Sequence, residues 1–153
     1  MEHKQLLTVF NSLPVGIGFF TADGTLVRCN ESFCRIFGAD SQTLLGNKLN
    51  INENSVVPDV VKEAVRGCVP VQMSFLYDFD KQRTDKRFFS TRTRTCYLKC
   101  NGNPLYDNDG KFVNYIFIFE DITETVKSEE VLRQSRRKTE LAMKAANIMF
   151  WEF

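Results

Sequence analysis

Histidine and tryptophan each occur once in this 153-residue chain, proline four times and glycine eight. A single histidine closes most routes to imidazole-based nucleophilic catalysis or zinc binding, which draw on clustered ligands or partnered bases. The scarcity of glycine and proline excludes a collagenous or low-complexity chain, and 43% hydrophobic with 25% charged residues is the balance of a globular domain. There is no P-loop, no nucleophile-elbow serine and no Cys/His cluster at metal-ligand spacing. No catalytic residue and no metal ligand is therefore assigned, and the chain is not expected to turn over a substrate. No apolar run approaches about 18 residues, and the start MEHKQLL lacks the apolar region of a signal peptide. No membrane segment is expected here, and the expected location is cytoplasmic.

Five cysteines, an odd number, stand at positions 29, 34, 68, 96 and 100 without a CxxC. On a strand Cys96 and Cys100 lie about 13 Å apart at 3.3 Å per residue, too far for a disulfide or a shared metal. All five are read as reduced thiols. A net charge of +1 gives no general nucleic-acid or membrane signal. Its distribution is uneven, with six basic against nine acidic residues up to Asp80 and fourteen against ten from Lys81 onward. Between Lys81 and Lys99, basic residues mix with Phe88 and Phe89. No nucleic-acid signature accompanies them, so the stretch is read as a solvated connection and edge strand. What the chain has in excess is phenylalanine, 14 in all. These rings must fill a core or line a pocket.

The periodicity gives an ordered set of elements. Leu6, Val9, Phe10 and Leu13 have the spacing of a short amphipathic helix ended by Pro14. Gly16 to Thr21 and Thr25 to Cys29 read as a hairpin around Asp23-Gly24. Asn30 caps a helix with Phe33, Ile36 and Phe37 buried and Gly38 at its end; Asp40 opens another that ends at Gly46. After a polar stretch from Asn47 to Ser55, a helix with Val57, Val60, Val61, Ala64 and Val65 on one face runs to Gly67. Three strands follow. One is centred on Val71 to Tyr77 and one on Cys96 to Cys100; the third, Phe112 to Phe119, is apolar on both faces and joined to the second by the Asp107-Asn108-Asp109-Gly110 turn. Glu124 to Asn147 is a charged helix with a thin seven-residue seam of Leu132, Thr139 and Ala146, and Asp121 with Glu124 can form a capping box at its start. Finally, Ile148-Met149-Phe150-Trp151-Glu152-Phe153 faintly repeats Val15-Gly16-Ile17-Gly18-Phe19-Phe20, which predicts the first strand of a second copy.

This order resembles the PAS sensor domain. The resemblance rests on Asp23-Gly24, on Asn30-Glu31-Ser32-Phe33, on Gly46 after Leu44-Leu45, on Asn103-Pro104-Leu105 ahead of Asp109-Gly110, and on Glu120-Asp121-Ile122-Thr123-Glu124. It covers about Leu6 to Val126. It implies an α+β fold, a five-stranded antiparallel sheet with short helices on its concave face and flanking helices at both ends. The divisions expected are a flanking helix over 1–14, the PAS core over 15–123, a signalling helix over 124–147 and the start of a second repeat over 148–153.

On that scheme the inward residues are Met73, Phe75 and Tyr77, then Leu98 and Cys100, then Val113, Tyr115, Phe117 and Phe119, with Phe33 above them. Ile116 and Ile118 face outward under the amino-terminal helix. The rings are read first as core, with Tyr77 and Tyr115 as polar handles for an unknown small ligand. Flavin-binding light sensors of the family place a reactive cysteine within an Asn-Cys-Arg-Phe-Leu-Gln stretch; the matching Asn47-Lys48-Leu49-Asn50 has Leu49 there. Haem-binding members use a histidine on the helix that Val57 to Val65 forms, and none stands there. Neither photoadduct flavin nor histidine-ligated haem is expected, and no cofactor is assigned. The resemblance further implies a homodimer through the flanking helices and a signal relay at Asp121 and Thr123 to downstream domains of the same chain. The parent expected is a two-component sensor histidine kinase, of simple or hybrid type, feeding a phosphorelay. The alternatives are a ligand-free dimerisation spacer, or the PAS domain of a cyclic-dinucleotide enzyme or a transcription regulator.

Overall fold

The structure, a computed structural model, describes residues 2–82 and 90–151. The chain divides into two units, one running to Asp121 and one from Ile122 onward. The first contains helices α1 (Glu2–Ser12), α2 (Glu31–Phe37), α3 (Ser41–Gly46), α4 (Asp59–Gly67) and α5 (Phe79–Gln82), with a single 3₁₀ turn at Ile51–Glu53. Its strands are β1 (Gly16–Phe20), β2 (Leu26–Cys29), β3 (Val71–Asp78), β4 (Thr95–Tyr106) and β5 (Phe112–Asp121). The five strands form one antiparallel sheet in the order β2-β1-β5-β4-β3. The second unit is α6 (Thr123–Trp151).

Register sorts the strand residues into two faces, because directly opposite residues share a side. Gly16, Gly18 and Phe20 pair with Phe119, Phe117 and Tyr115, while Cys100 pairs with Phe119 and Met73. This row faces the helices and is the buried side. Ile17 and Phe19 pair with Ile118 and Ile116 on the outer side, as the strand's double apolarity requires.

Local chemistry accounts for the α2 corner. Asn30 is buried and uses all four of its amide hydrogen bonds: Oδ1 accepts from Ile17 N at 2.8 Å and Phe33 N at 3.0 Å, and Nδ2 donates to Phe10 O at 2.9 Å and Val15 O at 3.0 Å. It thus caps α2 and ties it to β1 and to the end of α1. Gly38 closes α2 at φ +67°, where its N–H bonds Cys34 O.

Four expectations need correction. The α1 stripe is not a buried face: Leu6 and Val9 are 69% and 54% exposed, and the helix reaches the outer sheet face through Phe10, whose ring lies 6.0 Å from that of Phe19. Val60 is exposed and α4 buries only Val61, Ala64 and Val65: Val60 lies about 100° round the helix from Val61, at the edge of the buried face, and Val57, though buried, precedes the helix because Pro58 stands at its start. Val113 is exposed as well: Leu105 pairs with Asn114 and Tyr106 with Phe112, so Val113 is the extra residue of a bulge. Ile148 to Trp151 continue α6 and do not open a strand. A helix satisfies its own backbone, whereas a lone strand has no partner for its N–H and C=O groups. Residues 83–89, which carry much of the basic stretch, and residues 152 and 153 lie outside the described residues.

Candidate functional site

The inner face of the sheet is an aromatic core. Phe33 and Phe37 come down from α2, Phe20 from β1, Tyr77 from β3, and Tyr115, Phe117 and Phe119 from β5; all are buried. Several ring pairs meet edge to face: Phe37 lies 5.2 Å from Phe119 at 87° and 5.5 Å from Tyr77 at 77°, and Phe20 lies 5.4 Å from Phe117 at 88°. Such pairs add about 0.5–1.5 kcal/mol each beyond the area they bury. Between them remains a cavity of about 30 Å³, bordered by Phe20, Phe33, Phe37, Tyr77 and Phe119 on one side and by Leu49, Asn50, Ile51, Asn54 and Val57 on the other. That is room for water only. Ligand pockets are at least about tenfold larger.

Of the residues anticipated as pocket lining, Phe33, Tyr77 and Phe119 border the cavity. Leu98, Cys100, Tyr115 and Phe117 are fully buried and pack in the layer beneath it, and Met73 and Phe75 are half-buried against the same cluster. The two tyrosines part company. Asn54 Nδ2 donates to Tyr77 Oη at 2.8 Å, which sets a polar spot in the cavity wall. Tyr115 instead donates its hydroxyl to Val69 O, away from the cavity, and burial together with Cys100 and Cys68 pushes it up to about 12. Burial alone pushes the Cys100 thiol up to about 12.

The far wall comes from Asn47 to Ser55, which the sequence marks only as a polar stretch with Leu49 at the position of the light sensors' cysteine; it supplies Leu49, Asn50, Ile51 and Asn54. The signal present was Leu49 and Ile51, two apolar residues alternating within a polar stretch. Lys48, at φ +51°, turns the chain so that this segment covers the sheet, and Leu49 O accepts from Leu26 N at 2.8 Å.

Beside this core lies a second arrangement. Arg92 Nη1 donates to Ile36 O on α2 at 2.8 Å and lies 3.3 Å from Asp121 Oδ2 at the end of β5. Its guanidinium also stands 4.7 Å over the ring of Phe79. Cys96 sits close by, its thiol pushed up to about 11 chiefly by burial and further by the charge of Asp121, against the opposing pull of Arg92. Asp121 is one of the two residues the family resemblance marks for a relay; nothing in the sequence sets Arg92 apart from the other basic residues between Lys81 and Lys99. Thr123 begins α6. Among the described residues there is no group of three or more His, Cys, Asp or Glu side chains able to hold a metal ion, and no helix long and apolar enough to cross a membrane.

Comparisons with known proteins agree with this architecture. No curated protein is similar enough in sequence to match the chain. Among solved structures, an RNA-binding Light-Oxygen-Voltage receptor superposes with a TM-score of 0.65 at 19% identity, over 88% of this chain and 37% of the receptor's. The chain thus spans little more than a third of that receptor. The PAS domain of a protein from Colwellia psychrerythraea superposes at 0.60 with 15% identity, covering 81% of this chain and 99% of its own. A PAS domain from a two-component sensor histidine kinase gives 0.57 with 15% identity, over 78% and 96%. The sequence profile of the PAS fold matches residues 10–127, well over half the chain, and the chain belongs to the PAS family.

Proposed function

We propose that this PAS domain is the signal-input module of a two-component sensor histidine kinase, of simple or hybrid type, acting on the cytoplasmic side as a homodimer through its flanking helices. The observation that carries the mechanism is the position of Arg92. It holds the carbonyl of Ile36, on the helix that supplies Phe33 and Phe37 to the cavity wall, and the carboxylate of Asp121, where β5 ends. A displacement of α2 therefore has a direct polar route to the residue before the output segment Ile122 to Thr123. An input at the inner face acts only if it binds the two arrangements with different free energies, and about 1–3 kcal/mol is typical of such coupling. The PAS domain of the kinase neighbour supports the choice of parent.

The test is a double-mutant cycle in the full-length parent with Arg92→Ala, Asp121→Asn and both together, read as autophosphorylation with and without stimulus. Each single change should abolish or fix the response, and the double should be no worse than either alone, because the two residues act as one unit. Output and stimulus response unchanged in both single variants would rule the route out. A second reading, a ligand-free dimerisation spacer, draws on the 30 Å³ interior. Native mass spectrometry of the purified chain decides for it if a concentration-dependent dimer carries no retained small molecule.

A further inference from the structure

Cys29 ends β2 and Cys34 lies in α2, and their Sγ atoms are 3.9 Å apart. Five-residue spacing does not produce this by itself. In an unbroken helix, residues i and i+5 diverge by roughly 140°; in an unbroken strand they lie on opposite faces. The corner at Asn30 makes the pair, since the backbone turns there from strand to helix. It is held by the four hydrogen bonds of the buried Asn30 amide and by its extended φ of −93° and ψ of 176°. The two thiols are thus presented to each other by a rigid element of the fold. Both are half-buried, and both are free thiols.

We propose that Cys29 and Cys34 form a redox-active dithiol that closes to a disulfide under a peroxide or a small disulfide oxidant, an oxidant-responsive site separate from the aromatic cavity. With peroxide, a Cys34 thiolate attacks one oxygen, the O–O bond breaks, and hydroxide leaves to give a sulfenic acid; the hydroxide takes up the proton the Cys34 thiol released on ionising and becomes the first water. The Cys29 sulfur then attacks that sulfur, the S–O bond breaks, and the departing hydroxide takes the Cys29 proton as a second water. Two electrons pass from the thiol pair to one peroxide. With a disulfide oxidant, two thiol–disulfide exchanges give the same bond and release two small thiols. The sulfurs must close from 3.9 Å to about 2.05 Å. Cys34 is the better first nucleophile, because burial raises its pKa but the contact with the Cys29 thiol lowers it, with Arg35 a smaller help against the Asp40 and Glu31 charges, whereas the same contact adds to the burial that pushes Cys29 up to about 12. Both thiols stand above the ordinary range, so closure is slow at neutral pH and quickens as pH rises. The bond would draw the middle of α2 toward β2, and α2 is the helix that carries Phe33, Phe37 and the Ile36 carbonyl.

Trypsin cuts after Arg28 and Arg35, so both cysteines fall in the single peptide Cys29 to Arg35, which is two hydrogens lighter once the disulfide forms. Cys68, Cys96 and Cys100 fall in other peptides and serve as controls. The experiment equilibrates the unmodified chain in glutathione buffers of stepped reduced-to-oxidised ratio, folded and in urea, then quenches, alkylates and weighs that peptide. The folded chain should hold the disulfide at a ratio about tenfold more reducing than the unfolded chain. By linkage, the oxidised chain should also melt higher than the reduced one, a difference that Cys29→Ser and Cys34→Ser both remove. A folded chain that needs the same ratio as the unfolded one, or a more oxidising one, overturns the proposal. The measurement uses the unsubstituted chain and so does not depend on either variant folding.

Discussion

Gly102 sits in β4 directly opposite Phe117, and a Cβ placed there would lie 2.6 Å from Phe117 Cε1 and 2.7 Å from Tyr115 Cε1. The missing side chain is the space the two rings occupy. Gly102→Ala should therefore lower stability by about 1–3 kcal/mol through overpacking, seen as a lower urea midpoint at unchanged slope. This was not legible in the sequence, where Gly102 is one more small residue in a strand and nothing marks which neighbour leans over it. Burial was legible at the same scale. Leu98 and Cys100, two apart on one strand, are expected to face inward and both are buried, because a strand's period of two sets alternate residues on one face without reference to any partner. What alternation cannot supply is which inward residue borders the remaining space, and so Leu98, Cys100, Tyr115 and Phe117 were grouped with Phe33, Tyr77 and Phe119.

Between elements, polar side chains make several of the joints that an apolar stripe was expected to make. The end of α1 is held to α2 by the Asn30 amide, by Asn11 Oδ1 accepting from Glu31 N at 3.2 Å, and by Ser32 donating to Leu13 O. Asn30→Ala strips a helix cap and leaves Ile17 N, Phe33 N, Phe10 O and Val15 O to find other partners. The expected loss is about 2 kcal/mol or more, measurable by thermal melting, and amide exchange should rise in α1 and α2 before it rises in β4. Capping was readable, since Asn30 followed by Phe33, Ile36, Phe37 and Gly38 is a complete helix signature. The tie to α1 was not, because Phe10 and Val15 contribute only their carbonyls, which any residue has. The charged helix α6 was readable from composition alone: every side chain described from Lys127 onward is exposed, and Glu130 takes Arg133 in a paired contact of 2.7 and 3.1 Å that holds its carboxyl below the usual range.

For the domain as a whole, the half-buried Cys29 and the buried Cys96 and Cys100 couple stability to pH. Cys29 and Cys100 are pushed up to about 12 and Cys96 to about 11 in the folded chain, whereas an unfolded cysteine ionises near 8.5. Below that value both states hold the proton and stability is unaffected. Above it the unfolded chain releases protons that the folded chain keeps, so stability falls from about pH 8.5 and the loss levels off only near 12. Urea midpoints should thus drop between about pH 8 and pH 10, and Cys100→Ala should show a smaller drop between those two values than the unsubstituted chain. The number of strands and their antiparallel pairing follow from the order of elements and the family resemblance, and the reading of the rings as core follows from their number; the space left between them does not, because cavity volume depends on how the Asn47 to Ser55 segment folds over the sheet.

The strand order β2-β1-β5-β4-β3 sets β1 beside β5, pairing Gly16 with Phe119. These residues are roughly a hundred apart in sequence, so the central contact of the sheet carries the largest loop-closure entropy. On a ribosome adding about 5–20 residues each second, β1 and β2 are made first, and β3 and β4 follow as a second hairpin that shares no strand with them. Only β5 touches both halves. It is the keystone, and its last residue, Asp121, directly precedes the segment that starts α6. Synthesis therefore delivers α6 only after the strand that completes the sheet.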